Sequence, residues 1–196
     1  MKILLIIFVL FLSTSVLSDD ISDFEIEGLS IGDSLLEYFS NDFIQNNTDK
    51  EQYNYLNDPY KYLELFLVNY DNQSNYELKQ YHALKIFYEN KTNYLINGIS
   101  GVLFYPTNYD QCLKKKNEIF LELSNIFKNV DVEGPVKESH IADKSGKSKI
   151  ERYIFWFHKD DLIMISCYNW SNEMNFYDNL KIEIYTNDLN LWSVGK

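Results

Sequence analysis

The sequence is poor in arginine, histidine and cysteine, the residues on which many anion, metal and redox sites depend. Arg152 is the only arginine, and the three histidines form no i,i+4 pair and have no Cys-x-x-Cys beside them. We therefore predict no zinc or other metal site and no cofactor. Lysine and arginine number 18 against 29 acidic residues, and the net charge is -11. Because backbone phosphates require a basic surface, nucleic acid is excluded as an expected partner.

The N-terminus carries an almost unbroken apolar run over residues 3–12, after the basic residue Lys2. The run is too short to span the roughly 30 Å of a bilayer core comfortably. The compact residues that lead to Ser18 are typical of a signal-peptidase site. We predict that residues 1–18 are a signal peptide removed before Asp19. The protein is then periplasmic or secreted, with no stable membrane span after cleavage.

Cysteine occurs only at Cys112 and Cys167. An even pair in an oxidising compartment predicts a disulfide, and two buried thiols that never meet are the alternative. The chain-entropy model gives about 4 kcal/mol for closing a loop of roughly 55 residues. The absence of a cysteine near the predicted cleavage site excludes a lipoprotein.

The second half of the chain predicts a hairpin, a helix and three further strands. Alternation of apolar and polar residues, followed by a polar turn at 90–93 and an apolar run, indicates the hairpin. Apolar residues at three- and four-residue spacing indicate the helix, with Thr107 or Asn108 as its cap. The predicted segments are 84–88 and 94–105 for the hairpin, 109–127 for the helix, and 153–158, 162–169 and 180–185 for the strands.

The first half is less regular. Residues 24–27 alternate like an edge strand, and Ser34 with Glu37 forms a capping-box pattern before an apolar helical face that extends to Phe43. Residues 62–68 fit either a strand or a short helix, and 188–192 fit a helical turn.

We predict an α+β fold in a single domain over residues 19–196. Hairpins without helical crossovers favour a two-layer arrangement, with an antiparallel sheet of about five to six strands and two main helices on one face. Cys112 can join the apolar stripe of the helix, and Cys167 shares a strand face with Ile163 and Ile165. The disulfide would then join the helix to the sheet.

Residues 32–35 read Gly-Asp-Ser-Leu and resemble the signature of the GDSL-type lipases and esterases. The resemblance implies Ser34 as a nucleophile, which needs a base from an Asp-x-x-His near the C-terminus. That base is missing, because no histidine in the chain has an aspartate three residues before it. The residues at those positions are Lys79 before His82, Lys137 before His140 and Phe155 before His158.

Residues 137–152 carry five basic groups against three acidic ones in an acidic protein. Within them, 145–148 resembles the end of a P-loop, but a strand is predicted where that motif requires a helix. A local anion site with His140, Lys144 and Lys147 is one interpretation, and a solvated lysine-rich loop is the other. His140 is also the histidine to test as a ligand or base.

Six stretches carry a further pattern: 24–36, 99–105, 112–127, 145–148, 166–171 and 178–184. Together they resemble a group of small secreted proteins of unassigned function from AT-rich marine alphaproteobacteria, over most of the mature chain. The resemblance implies a periplasmic protein whose two cysteines belong to the pattern. It implies no activity, cofactor or catalytic residue.

We therefore expect a non-enzymatic binding or interaction domain, whose partner is an unknown protein or small ligand. The aromatic segment 46–76 is the expected protein-binding surface, because irregular segments on rigid scaffolds often carry function. The alternatives are a GDSL-like serine esterase using Ser34 and a small-ligand carrier, which would need a pocket of several hundred cubic ångströms.

Overall fold

Strands in which apolar and polar residues alternate form most of one large sheet. A computed structural model describes residues 20–50, 53–68, 76–90 and 93–195. The predicted signal peptide 1–18 and Asp19 lie outside the described residues. The strands are β1 (Glu25–Ile26), β2 (Leu29–Ser30), β3 (Thr48–Asp49), β4 (Tyr62–Val68), β5 (Ala83–Glu89), β6 (Ile96–Phe104), β7 (Asp131–Ser139), β8 (Lys149–Trp156), β9 (Leu162–Asn169) and β10 (Asn179–Tyr185). The α-helices are α1 (Asn41–Asn47), α2 (Tyr109–Ile126) and α3 (Asn187–Ser193).

The main sheet has eight strands in the order β3-β4-β5-β6-β10-β9-β8-β7. Every neighbouring pair is antiparallel. Two meanders, β3 to β6 and β7 to β10, meet where β6 pairs with β10. Helix α2 follows β6 and precedes β7, so it connects the centre of the sheet to its far edge. Strands β1 and β2 form a separate hairpin.

The two faces of the main sheet carry separate apolar cores. The α2 face includes Ile163 and Ile184 and is covered by α2, α1 and the β1–β2 hairpin. The α3 face includes Phe87 and Tyr185 and is covered by α3 and the segment around Tyr53. Side chains alternate between the faces because successive residues of a strand point to opposite sides.

The predicted α+β class and antiparallel sheet are confirmed, and the finer arrangement differs. The main sheet has eight strands instead of five to six, and α3 covers the face opposite α2, so the layers number three. Sequence patterning misses β7, because it is an edge strand whose residues are mostly exposed and lack apolar alternation. Its ladder is interrupted between Glu133 and Val136, around Pro135, which has no N–H to donate.

The predicted helix after Ser34 is shorter than expected. The Ser34 hydroxyl caps only the 3-10 turn Leu35–Glu37. Helix α1 begins separately after Ser40, whose hydroxyl accepts the N–H of Phe43. Two good cap residues six positions apart thus divide the apolar stripe into two short helices.

Three other elements follow their sequence patterns. The sequence of segment 62–68 fits either a strand or a short helix, and the segment is strand β4. The predicted hairpin is β5 and β6, and the predicted long helix is α2. Asn108 is the α2 cap, because its side-chain oxygen accepts the N–H of Gln111 at 3.1 Å.

The predicted disulfide is confirmed. Cys112 in α2 is bonded to Cys167 in β9, with a Cα–Cα distance of 6.0 Å. Both cysteines are fully buried. The bond joins α2 to the second half of the sheet.

Candidate ligand-binding site

A groove opens on the α2 face between α2 and the β1–β2 hairpin. Its volume is about 420 Å³, within the range of about 300–1,000 Å³ that is usual for small-molecule sites. Its floor is formed by Leu103 of β6, Ile182 and Ile184 of β10, and Ile163 of β9. Three adjacent strands thus give the groove an apolar base.

Helix α2 forms one wall of the groove. Its lining residues recur at intervals of three and four, the spacing that places side chains on one helix face. This is the apolar stripe that predicts the helix, with two charged residues at its edge. The lining residues of α2 are Lys115, Ile119, Glu122, Leu123 and Ile126.

Two contacts fix the N-terminal half of α2 above the sheet. The first is the disulfide from Cys112 to Cys167. The second is the ion pair between the buried ammonium of Lys116 and Glu151 of β8. Burial lowers the pKa of Lys116, and the contact with Glu151 acts in the opposite direction. These anchors hold the α2 wall at a fixed height above the floor.

The opposite wall is held by Glu27 at the tip of the β1–β2 hairpin. Its carboxylate accepts the backbone N–H groups of Lys79, Gln80 and Tyr81 at 2.9, 2.6 and 2.9 Å. Glu27 and Gly28 both have positive φ, 57° and 84°, which is typical of a tight two-residue hairpin turn. The hairpin therefore holds residues 79–81, and both segments line the groove.

Tyr81 packs closely on the sheet beneath this wall. A Cβ atom at Gly101 would lie 2.5 Å from Cε1 of Tyr81, so only glycine lets the ring approach β6. Burial raises the pKa of Tyr81, so its hydroxyl stays protonated at neutral pH. The ring sets the position of the segment that enters β5.

Polar side chains surround the apolar interior. Nδ1 of His82 accepts the N–H of Phe104 at 2.9 Å, which leaves Nε2 as the ring nitrogen that can donate. The arrangement can hold a small apolar or amphiphilic molecule, with its polar end at the rim. The polar side chains that line the groove include Glu25, Lys79, Gln80, His82, Lys115 and Glu122.

Ser34, the nucleophile of the esterase hypothesis, lies away from this groove. Its hydroxyl donates to the carbonyl of Asn93 at 2.7 Å and accepts the N–H of Leu36 at 3.3 Å. It lies beside Leu95, just before β6, whereas His82 contacts Phe104 at the other end of that strand. Nine residues of β6 separate the two, a distance of about 30 Å. The structure therefore does not bring Ser34 and His82 together.

The loop that carries the three residues predicted for an anion site has a carboxylate, Asp143, at the centre of its hydrogen bonds. Asp143 accepts hydrogen bonds from the hydroxyls of Ser145, Ser148 and Ser171 and from two backbone N–H groups. These hydrogen bonds hold the pKa of Asp143 well below its usual range. The donors that resemble a P-loop are thus directed at a side chain of the same loop. Lys147 is paired with Glu173.

His140 and Lys144 complete that set. Lys144 is exposed. The ring of His140 packs against those of Trp170 and Tyr168, with centroid distances of 4.4 and 5.8 Å. Burial, and then the nearby Lys181, lower the pKa of His140, which favours the neutral imidazole. His140 lies among aromatic rings, and the anion site with Lys144 and Lys147 stays a prediction.

The aromatic segment 46–76 divides between core and surface. Residues 51–52 and 69–75 lie outside the described part of the chain. Tyr53 packs against Trp192 of α3, with ring centroids 5.0 Å apart. Tyr55 and Tyr60 are 74% and 54% exposed. The segment keeps two tyrosines on the surface, while its apolar strand lies in the sheet.

Within the described ranges, no helix combines the length and apolarity needed to cross a membrane. The same residues contain no group of three His, Cys, Asp or Glu side chains that could hold a metal ion. Comparison with protein-family models, curated proteins and solved structures found no match. The resemblance to small secreted alphaproteobacterial proteins therefore stays a prediction.

Sequence reasoning does not find the groove, because its lining comes from six separate parts of the chain. The α2 stripe and the floor strands carry sequence signals, but those signals do not show that a groove lies between the two elements. The segment 79–82 has no apolar pattern, and its position depends on Glu27, more than 50 residues earlier. Gly101 within a predicted strand is the one local sign of a close approach.

Proposed function

We propose that the protein is a non-enzymatic binding protein that holds a small apolar or amphiphilic molecule in the groove on the α2 face. The observation that carries this proposal is the groove of about 420 Å³ with an apolar floor. Its volume meets the requirement for a small-ligand carrier. Its rim supplies hydrogen-bonding groups without covering the apolar base.

The anchoring of both walls supports this function. A preformed site costs less conformational entropy on binding than one that must be ordered by its ligand. The disulfide and the Lys116–Glu151 pair hold α2, and Glu27 holds residues 79–81. The groove is therefore a fixed feature of the fold.

The proposed setting is the periplasm or the extracellular space. A buried disulfide is typical of proteins from oxidising compartments. Apolar molecules are poorly soluble in water, so a binding protein in such a compartment would shield them. The protein-binding surface predicted for segment 46–76, where Tyr55 and Tyr60 are exposed, stays a prediction beside this function.

The test is binding of the neutral fluorescent probe N-phenyl-1-naphthylamine to the purified protein. We expect saturable binding with one site. Ile182→Trp fills the groove floor and should weaken binding at least tenfold. The matched control is Leu121→Trp, because Leu121 is on α2 but 61% exposed and outside the groove.

Circular dichroism and the urea midpoint establish that both variants are folded. Unchanged binding by a folded Ile182→Trp would place the probe elsewhere and overturn the proposal. Equal weakening in both variants would also contradict it.

A further inference from the structure

The charged residues of the groove are separated along its length. Helix α2 runs from Tyr109, just after the end of β6, to Ile126. Lys115 is therefore near the end of the groove where β6 finishes. Glu122 is seven residues further along the same helix, about 10 Å away at 1.5 Å per residue.

The opposite wall brings a second lysine to the same end. The N–H of His82 donates to the carbonyl of Val102, and the ring of His82 accepts from Phe104. These bonds place His82 beside the last residues of β6. Lys79 precedes it by three residues and lines the groove with Lys115. This basic end therefore contains Lys79 and Lys115, with the ring of His82 beside them.

The other end is apolar in its interior and acidic at its rim. Ile184 and Ile163 face each other there on β10 and β9. Phe24 closes this end, with its ring 4.7 Å from that of Phe127 just after α2. Glu25 follows Phe24 directly. The carboxylates at the rim would repel an anion here, whereas the interior offers apolar side chains to a hydrocarbon tail.

We propose that the groove binds a single-chain amphiphile with an anionic head group, which lies at Lys79 and Lys115 with its tail toward Phe24. This inference rests on the proposed function and names the ligand class for the same site. The groove wall from Lys115 to Ile126 is about 16 Å long. That length suits an alkyl chain of about a dozen carbons.

Three further groups lie beside the basic end, and the first is Glu27, whose carboxylate accepts the N–H of Lys79. Glu118 lies 3.8 Å from Nζ of Lys115 and offsets part of its charge. Lys79 is thus the principal cation. Tyr105 lines the same end, and burial raises its pKa, so its hydroxyl is a neutral donor for an anion. The basic end therefore has two lysines and two carboxylates, one of which, Glu27, is already occupied by three backbone N–H groups.

The test compares three ligands of equal chain length by isothermal titration calorimetry: dodecanoate, dodecanol and dodecyltrimethylammonium. We expect dodecanoate to bind at least tenfold more tightly than dodecanol, and the cation to bind most weakly. The double variant Lys79→Gln/Lys115→Gln should bind dodecanoate and dodecanol with similar affinity. Its affinity for dodecanol should stay within twofold of the original.

The matched control is Lys114→Gln/Lys128→Gln, which removes the same charge at two exposed positions outside the groove lining. It should keep the preference for dodecanoate. Equal binding of dodecanoate and dodecanol by the unmodified protein would overturn the anionic head group and leave the proposed function intact. A preference for the cation would also overturn it. Failure of all three ligands to bind would overturn both proposals.

Discussion

The two faces of the main sheet are covered in different ways. The α2 face is covered by the 18-residue helix α2, whose N-terminal half is anchored to the sheet, and by the β1–β2 hairpin, which Glu27 anchors separately. The α3 face is covered by a seven-residue helix whose Leu189 and Trp192 pack directly on the strands. The first cover leaves a groove of about 420 Å³ between its two parts, and the second leaves a smaller cavity of about 300 Å³ where α3 meets residues 56–61.

The strands on the α3 face also differ in character. They bury Glu64 and Glu183, each paired with a tyrosine: Tyr53 donates to Glu64 at 2.6 Å and Tyr185 to Glu183 at 3.0 Å. The floor of the groove on the α2 face has isoleucine and leucine instead. The same sheet lies beneath both faces. The groove therefore exists because α2 and the β1–β2 hairpin are anchored apart from each other.

The largest effect should come from removing the disulfide. Cys112→Ala/Cys167→Ala should lower the free energy of unfolding by about 4 kcal/mol, because the unfolded chain gains the freedom of the opened loop. It should also weaken ligand binding, since α2 loses an anchor. Urea unfolding and probe titration measure the two effects. Stability loss with unchanged binding would show that the groove does not depend on this anchor.

A core substitution on the α3 face should lower the free energy of unfolding without changing ligand affinity. Leu189 is 1% exposed, and Leu189→Ala should cost about 3 kcal/mol through lost burial and a cavity. Ligand affinity should stay within twofold at temperatures where the variant is folded. A large change in affinity would mean that the two covers are coupled through the sheet.

The hairpin anchor should give an intermediate effect. Glu27→Ala leaves three backbone N–H groups without their acceptor, which we expect to cost about 2 kcal/mol. The wall at residues 79–81 should loosen and the ligand Kd should rise several-fold. Glu77→Ala, which removes an exposed carboxylate outside the groove lining, is the control. Equal effects of the two variants on affinity would remove the positioning role of Glu27.

A smaller, pH-dependent effect should arise at the Asp143 loop. The folded-state pKa of Asp143 is depressed by hydrogen bonds from Ser145 and Ser148. Its contribution to stability is therefore present above the unfolded-state pKa of about 4 and is lost as the pH falls toward the folded-state value. Asp143→Asn should flatten the decline in unfolding free energy below pH 4, as measured by urea titrations between pH 2.5 and 7. An unchanged slope of unfolding free energy against pH in Asp143→Asn would contradict this prediction.

The smallest effect should come from Ser34→Ala. Loss of the cap should cost about 1 kcal/mol. We expect no labelling by a fluorophosphonate probe before or after the substitution, because the hydroxyl donates to a backbone carbonyl. Labelling that disappears in Ser34→Ala would establish the esterase alternative.

Sequence patterns predict the elements whose signal is local and fail where position depends on distant contacts. The α2 stripe, the β5–β6 hairpin and β9 follow from periodicity, because each buries one side of a regular element. Strand β7 is exposed, so it carries no such signal. The single-helix pattern after Ser34 fails because Ser40 is a second cap.

The candidate site illustrates the same limit. Ile119 and Leu123 belong to the apolar stripe that predicts α2, but this pattern cannot show that the groove lies beside them. The groove exists because Glu27 holds a segment about 50 residues further along. The disulfide could be predicted, since only two cysteines are present and both fall on apolar faces of predicted elements.

The central place of β10 has a consequence for biosynthesis. This strand is inserted between β6 and β9, yet it is the last of the sheet to be made. Before it emerges from the ribosome, both neighbours expose unpaired backbone edges, which favour association with other chains. The nascent polypeptide therefore cannot complete its sheet early, and a chaperone that shields those edges would help it avoid association with other chains.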